Sequence, residues 1–111
     1  MRYKIKVLFL QPANDGKHKF KATLLTTRNG EWRLKRVLFG SHGMMDFTVY
    51  YKRYGVSVAN KHRDAYIKRH TGEDWMNPFK AGFWSRWVLW EKPTVHDAFE
   101  NLLKLHPDWR L

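Results

Sequence analysis

Cationic side chains recur at every second residue in three short runs of this chain: Lys4 and Lys6, then Lys17, Lys19 and Lys21, then Arg33 and Lys35. A second group, Lys61, Arg63, Lys68 and Arg69, clusters further on. The chemistry open to such residues is neutralisation of phosphate, because each Lys or Arg that meets a nucleic-acid backbone releases condensed counterions. The uneven charge points the same way. Residues 1–40 hold ten Lys and Arg against Asp15 and Glu31, a net +8, whereas residues 73–111 hold five against six acids, a net −1. A small protein gains no stability from self-repulsion of this kind, so a polyanionic partner is expected, with nucleic acid the first candidate.

The groups that could break bonds are placed less favourably. Six histidines invite a metal or nuclease reading. No His-x3-His pair occurs, and His62 and His70 would lie about 12 Å apart along a straight helix, too far to share one metal. A two-metal nuclease needs several convergent carboxylates, and the acids nearest the basic stretches are Asp46, Asp64, Glu73 and Asp74. Ser41, Ser57 and Ser85 lack a nucleophile-elbow context, and no glycine loop could cradle a nucleotide phosphate. With no cysteine in the chain, disulfides and cysteine-ligated zinc are excluded. The expectation is a protein that is not an enzyme and takes no cofactor and no metal.

The elements that must position the cations follow from the same periodicity. Tyr3, Ile5, Val7 and Phe9 alternate with Arg2, Lys4 and Lys6, the period of a half-buried strand. After Pro12 and the Asn14-Asp15-Gly16 turn, His18, Phe20, Ala22 and Leu24 alternate with Lys17, Lys19 and Lys21. Asn29-Gly30 is the pair a two-residue type I′ hairpin favours, and Trp32 and Leu34 then alternate with Arg33 and Lys35. The alternation breaks at Arg36 before Val37 and Phe39, which predicts a bulge or a strand end there. Paired antiparallel, the strands would set Lys4, Lys6, Lys17, Lys19, Lys21, Arg33 and Lys35 on one surface and the apolar set beneath. Same-face side chains recur about every 7 Å along a strand, close to the phosphate spacing of one DNA strand. The plainer alternative is a lysine face that only solubilises the sheet and blocks edge pairing.

Downstream the pattern turns helical. Asp46 to Tyr54 is ambiguous, with Phe47, Val49 and Tyr51 alternating like a short strand. Val58 to His70 reads as a basic helix stopped at Thr71-Gly72. Asn77-Pro78 reads as the N-cap and first residue of a helix running through Phe79, Phe83, Trp87 and Trp90. Its Arg86 would need an aromatic face or a carboxylate, such as Glu73 or Asp74. Trp84, Trp87 and Trp90 at helical spacing read as core more readily than as a base-stacking surface. Thr94 with Asp97 opens a last amphipathic helix, and Trp109 would fold back on the core. The whole, 1–111, is expected to be a single α+β domain: a three-stranded antiparallel β-meander over residues 1–40 packed with about three helices over 57–106.

The run KHRDAYIKRHTGEDWMNPFKAGFWSRWVLWEKPT, residues 61 to 94, resembles the signature of a short family of large eukaryotic DNA viruses. Arg69-His70, Asp74-Trp75, Ala81 to Trp87 and Lys92-Pro93 occupy its positions, and FGSHGMMDFTVY upstream resembles the loop that precedes it. That family has no activity to transfer, so the resemblance implies a viral setting and no mechanism. The expectation is therefore a non-enzymatic protein that binds double-stranded DNA largely independently of sequence, in viral genome packaging. Its contacts would be the sheet cations together with Lys61, Arg63, Lys68 and Arg69. Neutralising about six phosphates would give a log-log salt slope near −5. The alternative is a virion structural protein whose basic face docks on an acidic partner. The first strand is too broken by charge for a signal peptide or membrane span, so no membrane partner and an intracellular or virion setting are expected.

Overall fold

A computed structural model describes residues 4–111; Arg2 and Tyr3, expected in the first strand, lie outside the described residues. The strands are β1 (Ile5–Pro12), β2 (His18–Arg28) and β3 (Glu31–Ser41), joined as an antiparallel meander in the order β1-β2-β3. Four helices follow: α1 (Phe47–Tyr54), α2 (Val56–Arg69), α3 (Ala81–Trp84), which widens into a π-helical turn over Ser85–Leu89, and α4 (Val95–Leu105). A 3-10 turn at Pro107–Trp109 closes the described chain. This is the expected α+β architecture, with one helix more than the sequence pattern suggests.

The β2–β3 hairpin forms as its turn residues require. Asn29 and Gly30 both take positive φ, 54° and 82°, and Arg28 pairs with Glu31 across them. From there β3 pairs with β2 without a register shift back to His18↔Ser41. The bulge or strand end expected at Arg36 is absent; the irregularity lies in β1, where Val7 faces Leu24 but Phe9 faces Thr23, leaving Leu8 as an extra residue. That single insertion reverses the facing of the rest of β1 relative to strict alternation. Ile5 and Val7 point into the core before it and Leu10 packs inward after it, so Phe9, expected inside, points out.

The core lies between the inner sheet face and the helices. Trp84 is fully buried, its indole donating to the Pro78 carbonyl at 2.8 Å and its ring 6.0 Å from Phe39. Tyr66 of α2 stacks on Trp90 at 4.4 Å, and Trp109 folds back beside Phe83. Each such side chain removed from water contributes about 1.5–3 kcal/mol. Gly40 allows the close approach of sheet and π turn: its φ is 75°, and a Cβ there would sit 2.8 Å from Leu89 Cδ1.

Three local readings change for identifiable reasons. Residues 47–54 are helical despite their alternation, because the Asp46 carboxylate caps the N-terminus, accepting from the Thr48 and Val49 N–H groups at 2.9 and 3.3 Å. Phe47 and Tyr51 then meet at i,i+4 rather than sharing a sheet face. The helix expected from Asn77 starts only at Ala81: Asn77 Oδ1 accepts from Phe79 N in a local turn, and the Pro78 carbonyl is taken by Trp84. Arg86 finds aromatic faces as expected, 4.4 Å over Trp87 and 5.6 Å over Trp75, but its carboxylate is Glu91 at 3.2 Å, not Glu73 or Asp74. α4 starts as read, with Thr94 Oγ1 accepting from Asp97 N.

Candidate nucleic-acid interface

Residues paired directly across an antiparallel ladder share a face, so the register assigns every sheet side chain to one side. The outer face holds four rows: Lys4, Thr27 and Trp32; Lys6, Leu25 and Leu34; Phe9, Thr23 and Arg36; Gln11, Lys21 and Leu38. None of these described residues is acidic. Phe9, Trp32 and Leu34 are 56%, 50% and 55% exposed, and Leu38 is also exposed, so the face carries an open apolar surface among its cations. Thr23, between Phe9 and Arg36, is almost fully buried within the row.

This arrangement corrects the expected cationic plate. Arg33 and Lys35 do not join Lys4, Lys6 and Lys21, because they face Thr26 and Leu24 on the opposite side of the ribbon. Their places on the outer face are taken by Trp32 and Leu34, which alternation assigns to the core. Arg33 is also paired with Glu31 at 3.3 Å. Lys17 stands exposed in the turn just before β2. Lys19 is spent on structure: its Nζ lies 2.6 Å from the buried Asp46 carboxylate that caps α1. Lys6 reaches the edge of the sheet and donates to the Asp108 and Arg110 carbonyls at 2.6 and 3.1 Å.

The basic helix is likewise divided. Arg63 stacks 4.3 Å over Phe47 and donates to the Glu91 carbonyl and Asn60 Oδ1, tying α2 to its neighbours. Lys61, Lys68 and Arg69 are exposed on α2, within the helical layer and away from the outer sheet face. The outer-face cations and the helix cations therefore do not form one surface. Trp84 and Trp90 are buried, which removes them as base-stacking groups, whereas Trp32 is available.

Phe9, Trp32, Leu34, Leu38 and Arg36 are the residues that alternation alone misplaces or omits. A signal for the last four was present. Trp32 and Leu34 have the opposite parity to Val37 and Phe39, and in one unbroken strand that means an apolar residue on both faces. Comparison with known protein families, with curated proteins and with solved structures finds no match to this chain. Two geometric facts bear on what the surface can take. No described helix is long and apolar enough to cross a membrane. Among the described residues, no group of three or more His, Asp or Glu is placed to hold a metal ion.

Proposed function

We propose that this chain is a non-enzymatic nucleic-acid-binding protein whose outer sheet face engages unpaired strands. The observation that supports this reading is the mixture on that face: half-exposed Phe9 and Trp32 set among Lys4, Lys21 and Arg36 with no described acid between them. Phosphates of a duplex ask only for cations, and a large apolar surface beside them gains nothing. Unpaired bases offer flat apolar faces and phosphates together, and base–aromatic stacking on an open sheet is a recurrent mode of single-strand recognition. Phe9 and Trp32 lie two strands and two rows apart, a diagonal of about 17 Å from strand spacing and rise, which an extended strand spans in about three nucleotides. Recognition would depend little on sequence, because every base has a π face.

A duplex reading has its own support. Residues 31–36 of β3 are exposed on both faces, so Arg33 and Lys35 on one side and Arg36 on the other flank a two-stranded ribbon. A ribbon of this kind fits a major groove about 12 Å wide. Fluorescence anisotropy with a labelled oligonucleotide, alone and annealed to its complement, tests both readings over a salt series. Tighter binding of the unpaired strand, weakened by Phe9→Ala, supports the sheet-face reading. Preference for duplex, weakened by Arg33→Ser and Lys35→Ser but not by Phe9→Ala, replaces it with the ribbon. Binding of neither, with capture of an acidic protein surface instead, points to the virion-adaptor alternative.

A further inference from the structure

At the Gly40 end of the sheet, where Leu38 of the outer face also reaches it, a cleft of about 490 Å3 opens between the sheet, α1, α2 and α3. Its volume is in the range of small-molecule sites. Two histidines on its wall are held in the same way. His18 Nδ1 lies 2.7 Å from Asp15 Oδ2, and His70 Nδ1 lies 2.8 Å from Glu73 Oε1. A carboxylate on Nδ1 fixes the imidazole's orientation and holds a proton on that nitrogen, so the other nitrogen, Nε2, accepts in the neutral ring and donates in the imidazolium. The two carboxylates are themselves secured. Asp15 is held well below the usual carboxylate range, first by the His18 ring and then by the His18 and Lys17 backbone N–H groups. Glu73 also accepts from Trp75 Nε1 at 3.3 Å and packs over Gly82, where a Cβ would come 3.0 Å from Oε2.

The hydrogen-bonding groups left free show what the cleft lacks. Its acids are already occupied, Asp46 by Lys19 and the N-terminus of α1, Glu73 by His70 and Trp75. Arg69 and Ser85 also line it, and neither has a hydrogen bond or ion pair from its side chain to another described residue. Tyr66, stacked 4.4 Å from the His70 ring, is pushed up to about 12 by burial and by the Glu73 charge, against a smaller opposing effect of Arg86, and keeps its phenolic proton. The unspent groups are thus the Arg69 guanidinium, the hydroxyls of Ser41, Tyr50, Tyr66 and Ser85, and three imidazoles, of which His18 and His70 are oriented by carboxylates and His62 stacks on Tyr50. Their complement is a compact anion with several acceptor oxygens, and the planar fork of Arg favours phosphate.

We propose that this cleft binds a phosphate monoester, gripped by Arg69 and Ser85 and by the Nε2–H groups of His18 and His70 in their imidazolium forms, each balanced by the carboxylate on its Nδ1. The site uses none of Lys4, Phe9, Lys21, Trp32 and Arg36, the residues proposed for strand binding, and stands without them. Two sources share this chemistry: a free mononucleotide or similar metabolite, and the 5′-phosphate end of a nucleic-acid strand.

The test is an NMR titration of the full chain with inorganic phosphate, 5′-AMP and adenosine, following backbone amides and the His18 and His70 ring resonances. Saturable shifts at both histidines with phosphate and 5′-AMP but not with adenosine are expected. Arg69→Gln should weaken binding by about tenfold or more, the value of a charge-assisted hydrogen bond. His70→Asn is the second variant, and Lys104→Ser on the exposed side of α4 should leave the affinity unchanged. Paired oligonucleotides with a 5′-phosphate or a 5′-hydroxyl separate the sources: preference for the phosphorylated end assigns the strand terminus, and equal binding of the two assigns the free ester. Absence of saturable shifts up to about 10 mM, weaker than ordinary specific binding, overturns the proposal. So does retention of full affinity by both Arg69→Gln and His70→Asn. The phosphate and 5′-AMP titrations contain no strand, so their outcome is independent of the outer sheet face.

Discussion

Replacing Phe9 by alanine separates binding from stability more cleanly than any other change in the sheet. The side chain is 56% exposed and points away from the core, so less than half of its surface is withdrawn from water on folding. Full burial of a Phe is worth about 1.5–3 kcal/mol, which puts the folding cost of the substitution near 1 kcal/mol. The binding cost is larger if a base stacks on the ring, about 1–3 kcal/mol per base, or a loss of roughly fivefold to more than a hundredfold in Kd. Anisotropy with an unpaired oligonucleotide of about 12 nucleotides, within the usual site size, measures the second quantity, and a urea melt measures the first. Lys21→Ser together with Arg36→Ser gives the electrostatic counterpart: the log-log salt slope should become shallower by about 1.4, that is about 0.7 for each single-strand phosphate no longer neutralised. An unchanged Kd for Phe9→Ala in a protein that still melts cooperatively would remove the stacking argument, whatever the Lys21 and Arg36 variants did.

Three further expectations concern the scaffold. Gly40→Ala forces a side chain into a left-handed backbone conformation and against Leu89, so thermal denaturation should show a loss of about 1–3 kcal/mol. Asp46→Ala removes the cap of α1 and leaves the Lys19 ammonium, largely shielded from solvent, without its carboxylate; a loss of about 3 kcal/mol or more in urea denaturation is expected. His106 stacks on Trp109 at 3.9 Å, and burial there lowers its pKa from 6.5, the nearby Asp108 charge acting in the opposite direction. A histidine whose folded-state pKa is depressed stabilises the neutral form, so its contribution is complete above about pH 6.5 and is lost as pH falls below that. The urea midpoint should therefore drop between about pH 7.5 and about pH 5, and His106→Phe should lessen that drop; an identical drop in both proteins would assign it to other groups.

The sequence pattern yields the meander, its turn and the α+β class because alternation, Asn29-Gly30 and the Thr94 cap are local signals that tertiary packing reinforces. It fails at parity. Periodicity shows which residues share a side only while a strand keeps its phase, which the extra residue at Leu8 breaks, and shows which side is buried only while one face is apolar, which the run from Trp32 to Phe39 breaks. It also fails where one side chain outweighs a pattern, as the Asp46 carboxylate does at α1. The candidate site was legible in its cations at Lys4 and Lys21. Its aromatic half was not, because an exposed Trp and a buried one look the same in a one-dimensional pattern. Neither could spacing reveal that Lys19 and Arg63 are consumed by Asp46, Phe47 and Glu91, contacts that join residues 16 to 28 positions apart.

The additional residue in β1 acts as a phase shifter. Were the strand ironed flat, with Leu8 seated opposite Thr23, Phe9 would swing toward the helices and Leu10 toward solvent, so the kink alone decides which ring or aliphatic chain the molecule shows to its surroundings. Excising Leu8 would instead smooth the ladder and keep both neighbours on their present sides. The outward chemistry of this strand is thus written in how it pairs, and a shortened strand would preserve what a straightened one would invert.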